Sequence, residues 1–130
     1  MRDANKNNVV MIADDDLFVR KVIKVALENL AEFIEVTDGA QVVEICKKSK
    51  PDLIFLDIHL PNLSGLELLP QLMHADANAH VIMLSADSSE ENVRNTMRYG
   101  SRGFMTKPFN KQRVLDYFTR CPTIKFADER

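Results

Sequence analysis

Asp52-Leu53-Ile54-Phe55-Leu56-Asp57 is the stretch from which the fold is read. Its four large apolar residues between carboxylates are too few for a helix and show no alternation with polar residues. That is the pattern of a strand buried on both faces of a parallel sheet. Pro51 punctuates its start, and Pro61 and Gly65 bracket the loop behind it. Outward from it the pattern repeats. Asn8-Val9-Val10-Met11-Ile12-Ala13 also ends in carboxylates, Asp14 and Asp15. Phe33 to Val36 is a second strand, His80 to Leu84 runs into Ser85, and Gly103 to Thr106 is closed by Lys107-Pro108.

Helical stretches fill the intervals. From Leu17 to Leu30 the apolar positions Phe18, Val22, Val25, Ala26 and Leu30 recur at helical spacing, with Asp16 as N-cap. Gly39 to Lys48 is a second helix, and a third runs to about His74, with Pro70 either in its first turn or kinking it. Ser88 or Ser89, with Glu91 or Asn92, marks the start of a fourth that stops at Gly100. Asn110 caps a fifth through about Arg120. Strict alternation of strand and helix predicts an α/β fold, a parallel sheet covered on both faces. The expected organisation is an extended or disordered N-terminus over 1–7, one domain over 8–121 and a polar tail over 122–130.

Composition narrows the function classes. A chain of 130 residues with 45% hydrophobic and 28% charged residues suits one globular domain. A net charge of -2 carries no footprint for direct nucleic-acid binding. No apolar run approaches the roughly 18 residues of a membrane span, and the start MRDANKNN is not a signal peptide, so a cytoplasmic protein is expected. Cys46 and Cys121 read as free thiols. His59, His74 and His80 show no ligand spacing, and the methionines read as core filler.

In such a sheet, ligands bind beyond the carboxyl ends of the strands. The unusual residues fall there: Asp14 and Asp15, Asp57, Ser85 and Lys107. Taken singly each has an ordinary reading as a helix cap, a solvated carboxylate or a turn residue. Together they define a chemistry. Crowded carboxylates repel, and a cation is what keeps them all ionised. Oxygen ligands without Cys or His suit Mg²⁺, or Mn²⁺. Lys107 adds a point charge for a phosphoryl group, and the Ser85 hydroxyl with the amides after it adds hydrogen bonds. Asp57, ending the most apolar strand, is the choice for a nucleophile that forms an acyl phosphate.

These residues resemble the receiver domain of two-component response regulators, from about Asn8 to Arg120. The matching motifs are Ile12-Ala13-Asp14-Asp15-Asp16 with Arg20, Asp52 to Asp57 with Pro61 and Gly65, Leu84-Ser85-Ala86, and Lys107-Pro108-Phe109. The resemblance implies a flavodoxin-like (βα)5 fold with a five-stranded sheet in the order 2-1-3-4-5. It implies that Asp57 is the phosphoacceptor, that Asp15, Asp57 and the His59 carbonyl bind Mg²⁺, and that Asp14 acts through water. Ser85, the Ala86 amide and Lys107 would hold the phosphoryl group, with Ser85 and Phe104 moving together as a switch. Ser85 stands where Thr is frequent, Phe104 where Tyr is, and Leu60 where Met is. His59 and Asp87, each two residues past a site residue, occupy positions that tune the lifetime of the phosphorylated state.

The resemblance also implies partners: a sensor histidine kinase or histidine phosphotransfer protein as donor, and a downstream protein met through the fourth helix, fifth strand and fifth helix. From Arg94 to Lys125 basic residues prevail, with Arg94, Arg98, Arg102, Lys107, Lys111, Arg113, Arg120 and Lys125 against Asp116; the ordinary reading is a solvated face, the sharper one a contact surface for an acidic partner. No output domain follows the fifth helix, so the expectation is a signal passed by protein contact, or a piece of a larger regulator or hybrid kinase. The domain is not expected to be an enzyme beyond its own phosphorylation and dephosphorylation. The enzyme alternative is an aspartate-based phosphatase using the Asp14-x-Asp16 spacing, which leaves Asp57 unexplained. A flavin carrier on the same fold is opposed by acidic loops without Trp or Tyr, and a receiver that is folded but never phosphorylated is opposed by the complete set of site residues.

Overall fold

In the computed structural model, which describes residues 8–87 and 89–126, five parallel strands form one sheet in the order β2-β1-β3-β4-β5. They are β1 (Val9–Ala13), β2 (Glu32–Val36), β3 (Leu53–Asp57), β4 (Val81–Ser85) and β5 (Gly103–Thr106). The helices are α1 (Leu17–Ala26), α2 (Val42–Ser49), entered through a 3₁₀ turn at Gly39–Gln41, α3 (Gly65–Ala75), α4 (Glu90–Arg98) and α5 (Lys111–Arg120). Fold class and strand order are those expected. The readings of residues 1–7, Ser88 and 127–130 lie outside the described residues.

The continuous apolar strands are buried because alternate side chains serve two cores. Val10, Ile12, Leu53, Phe55, Ile82, Leu84 and Met105 face α1 and α5, where Val19, Ile23, Val114 and Phe118 meet them. Met11, Ala13, Ile54, Leu56, Val81, Met83 and Phe104 face the other way, onto Val42, Leu68, Leu69 and Leu72 of α2 and α3. Each large side chain fully buried in this way contributes about 1.5–3 kcal/mol relative to exposure.

One helix departs from expectation, and a second settles the position of its proline. α1 ends at Ala26, and its buried residues are Val19, Ile23 and Ala26. Phe18 and Val25, expected on the inner face, are 70% and 54% exposed. A helix with seven apolar residues in ten offers two apolar stripes, and the sheet takes the one in line with Leu27. In α3, Pro70 lies inside the helix beyond the first turn, on the exposed side. The helix still starts firmly: Ser64 Oγ accepts the Glu67 N–H and Glu67 Oε1 accepts the Ser64 N–H, a reciprocal cap.

The chain after α5 returns to the body. Ile124 packs on the α1/α5 core, and Phe126 meets Phe118 edge to face at 6.0 Å. Buried Asn8 donates to the Lys125 carbonyl at 2.6 Å and accepts the Lys125 N–H at 2.6 Å. Cys46 and Cys121 are free thiols, and burial, aided by the charge of Asp76, pushes the Cys46 thiol up to about 12. Among the described residues no helix is long and apolar enough to cross a membrane.

Candidate phosphoryl and cation site

The parallel ladder continues past the strand ends and sets the site. Asp14 N–H donates to the Val36 carbonyl at 3.0 Å, Ile58 N–H to Leu84 at 3.0 Å and Lys107 N–H to Ser85 at 2.8 Å. Asp14, Asp57, Ser85 and Lys107 are thereby held along one edge of the sheet. Behind Asp57, Gly65 closes the loop: its N–H donates to the Ile58 carbonyl at 2.8 Å. A Cβ on Gly65 would lie 2.4 Å from the Asp57 carbonyl, so the start of α3 approaches the acceptor strand as only glycine allows.

Asp14 is fully buried and Asp57 is 3% exposed. Lys107 Nζ lies 2.8 Å from Asp14 Oδ2 and 3.3 Å from Asp57 Oδ1. Asp14 Oδ1 accepts the Asp16 N–H at 2.8 Å. Apart from the ionic contact with Lys107, Asp14 Oδ2 has no hydrogen bond among the described residues. Burial raises the Asp14 carboxyl above its ordinary value, with Asp57's charge adding to it, against the lowering by Lys107 and the Asp16 amide. Burial lowers the Lys107 ammonium, but its contact with Asp14 and the charges of Asp14 and Asp57 outweigh that, and it ends above its ordinary value.

Asp15 is exposed, and one carboxylate oxygen from each of Asp14, Asp15 and Asp57 lies within 4.8 Å of the others. Three carboxylates against one ammonium leave two negative charges, which one divalent cation offsets. A fully buried carboxylate oxygen whose close polar partner is one ammonium, in an all-oxygen donor set, fits Mg²⁺ or Mn²⁺. His59 is exposed in the loop after Asp57, and its N–H donates to Asp57 Oδ1 at 3.1 Å.

Ser85 is fully buried, and its hydroxyl oxygen accepts the Asp87 N–H at 3.0 Å. Asp87 ties the same loop to α4, accepting from the Ser89 N–H at 2.9 Å and from Asn92 Nδ2 at 3.1 Å. Ala86 follows Ser85 at the surface. Phe104 is buried in the core that holds Met83, with Val93 of α4 against it. Its backbone carbonyl accepts Arg113 Nη2 at 3.2 Å.

Asp16 does not join the cluster. Its Oδ1 accepts the Phe18 N–H at 2.9 Å as the cap of α1, which removes the acid/base group the phosphatase alternative needs. A groove of about 340 Å³ lined by Cys46, Lys50, Ile54, Leu72 and Asp76 lies at the opposite edge of the sheet, where β3 and β4 begin. Sequence reasoning did not assign the partners of Arg20. Its guanidinium reaches the Asp14 carbonyl and Glu35, and a bond to a backbone oxygen leaves no residue-type signature.

The fold is a doubly covered parallel sheet of the α/β class, with acidic, hydroxyl and ammonium groups gathered at its carboxyl edge, where such sheets bind ligands. Residues 10–119 match the response regulator receiver domain, and the chain belongs to that family. It is 37% identical over 109 residues to chemotaxis protein CheY of Bacillus subtilis, covering 82% of this chain and 91% of that one. It is 35% identical over 108 residues to CheY of Halobacterium salinarum, covering 82% and 90%. Among solved structures, a chain of the CheX-CheY-BeF3-Mg+2 complex from Borrelia burgdorferi superposes with a TM-score of 0.78 at 31% identity, covering 85% of each chain.

Proposed function

We propose that this receiver domain is a phosphorylation switch of a two-component or phosphorelay system, with Asp57 as the acceptor. A carboxylate oxygen of Asp57 attacks phosphorus of a phosphohistidine donor, the phosphorus–nitrogen bond breaks, and the imidazole leaves with its electron pair. Asp14, Asp15, Asp57 and the His59 carbonyl are the residues that would hold Mg²⁺, or Mn²⁺. When bound, the cation neutralises the carboxylates and the oxygens of the transferred group. Lys107 pairs with a phosphoryl oxygen, and the Ser85 hydroxyl and Ala86 amide donate to the others. The chain modifies itself and turns over no separate substrate.

The observation that carries this reading is the Lys107 ammonium between the carboxylates of Asp14 and Asp57, with Asp15 completing the cluster. The Borrelia complex, whose title names both BeF3 and Mg²⁺, supports it by likeness. In switching, the Ser85 hydroxyl leaves the Asp87 amide for the phosphoryl group. The Phe104 ring is already buried, so it readjusts within its core pocket as Ser85 moves. The donor, a sensor kinase or histidine phosphotransfer protein, docks beside the site, where exposed Phe18 shares a groove with Pro108 and Phe109. The downstream partner meets α4, β5 and α5, where Met97 and Tyr99 are exposed on either side of Arg98 in the chain.

Transfer from a labelled phosphohistidine donor tests the reading. Label should move to this chain with Mg²⁺ present and stay on the donor in excess chelator. Full labelling in chelator would contradict it.

A further inference from the structure

We propose that Arg20 is a positioning residue for the cation-binding carboxylates, fixing the peptide that joins Asp14 to Asp15. The inference rests on the reading of Asp14, Asp15 and Asp57 as ligands of a divalent cation. Arg20 sits on α1, its side chain only 14% exposed. Its Nη1 donates to the Asp14 carbonyl at 3.0 Å, and its Nε donates to Glu35 Oε1 at 2.8 Å. Glu35, on the neighbouring strand β2, is held from the other side by Lys24 Nζ at 2.9 Å from Oε2. One planar fork therefore ties an edge strand, the first helix and the loop between β1 and α1 together, which a lysine at this position could not do.

The Asp14 carbonyl is the oxygen of the Asp14–Asp15 peptide, a rigid plane. Rotating that plane swings the Asp15 Cα and with it the carboxylate. Asp15 has no other restraint on its side chain: it is exposed, and its carboxylate makes no hydrogen bond or ion pair among the described residues. Asp14 is restrained independently, by its N–H on Val36 and by the Asp16 amide on Oδ1. The Asp16 N–H on Asp14 Oδ1 holds the peptide after Asp15, and Arg20 holds the peptide before it.

The sign of the effect separates positioning from simple charge. A guanidinium near a cation site repels the cation, so losing its charge alone would tighten Mg²⁺ binding. Losing an orienting partner of a metal ligand weakens binding, commonly tenfold or more. Mg²⁺ titrations of the full chain, read by amide NMR shifts of Asp15 and Asp57, should give an affinity about tenfold weaker for Arg20→Met than for wild type. Arg20→Lys keeps the charge and the helix and should weaken binding as well. Melting in excess chelator, run on every variant, reports any general loss of structure separately. Unchanged or tighter binding in both Arg20 variants, beside a clear loss in Asp15→Asn, would overturn the positioning role alone. A wild-type chain that does not bind Mg²⁺ would overturn the site reading and this inference with it.

Discussion

Asp14 combines complete burial with an oxygen whose close polar neighbour is an ammonium it shares with Asp57. Because burial raises its carboxyl, the folded chain holds that proton more tightly than the unfolded chain does. Below the ordinary carboxylate value both states are protonated and the full stability is present. As pH rises through the raised folded value, the charge must be buried and stability is lost. In metal-free protein, Asp14→Asn should therefore raise stability at pH 7 by about 1–3 kcal/mol, the cost of an incompletely paired buried polar group. The advantage should vanish below about pH 4, where an ordinary Asp is protonated. Melting in chelator at both pH values checks it, and a mutant less stable than wild type at pH 7 would contradict it. At this scale the sequence was readable for Asp14, Asp57, Ser85 and Lys107, because each is a polar or charged group at the carboxyl end of a strand. Arg20 was visible only as part of a motif, since the oxygen it holds is backbone.

α1 shows what periodicity can and cannot decide. A helix reading Leu17-Phe18-Val19-Arg20-Lys21-Val22-Ile23 is apolar on more than one side. Its existence and its Asp16 cap were legible, but its inner face was not. The choice is made by α5 and the sheet: Ile23 is fully buried in the core that contains Phe118, and Phe18 is left 70% exposed. Ile23→Ala should therefore cost about 2–5 kcal/mol, and Phe18→Ala should fall within about 0.5 kcal/mol of wild type. Urea unfolding of the two variants decides the matter; the reverse ranking would restore the face that spacing alone suggested. Phe18 shares an apolar groove with Pro108 and Phe109, the rim at which the proposed donor would dock.

For the whole molecule, strand order was the part that local pattern could not supply. Alternating strands and helices are compatible with several parallel sheets, and the order 2-1-3-4-5 followed from family resemblance. The register explains why that order matters. β1 and β3 are neighbours, pairing Ala13 with Leu56, and β3 pairs Asp57 with Leu84 of β4, so the carboxylates and Ser85 end on adjacent strands. β5 completes the edge, pairing Ser85 with Thr106 and placing Lys107 next to it. The return of residues 122–126 was hidden because its anchors are the Asn8 side-chain amide on the Lys125 backbone, Ile124 against the core and one ring contact. The central claim is that this sheet edge makes Asp57 the acceptor. Peptide mass mapping after incubation with acetyl phosphate and Mg²⁺ tests it most directly, on wild type and Asp57→Asn side by side. A single phosphoryl adduct on the wild-type peptide containing Asp57, absent from a folded Asp57→Asn chain, is the predicted result. An adduct that persists in Asp57→Asn, or that maps to Asp14, would contradict it.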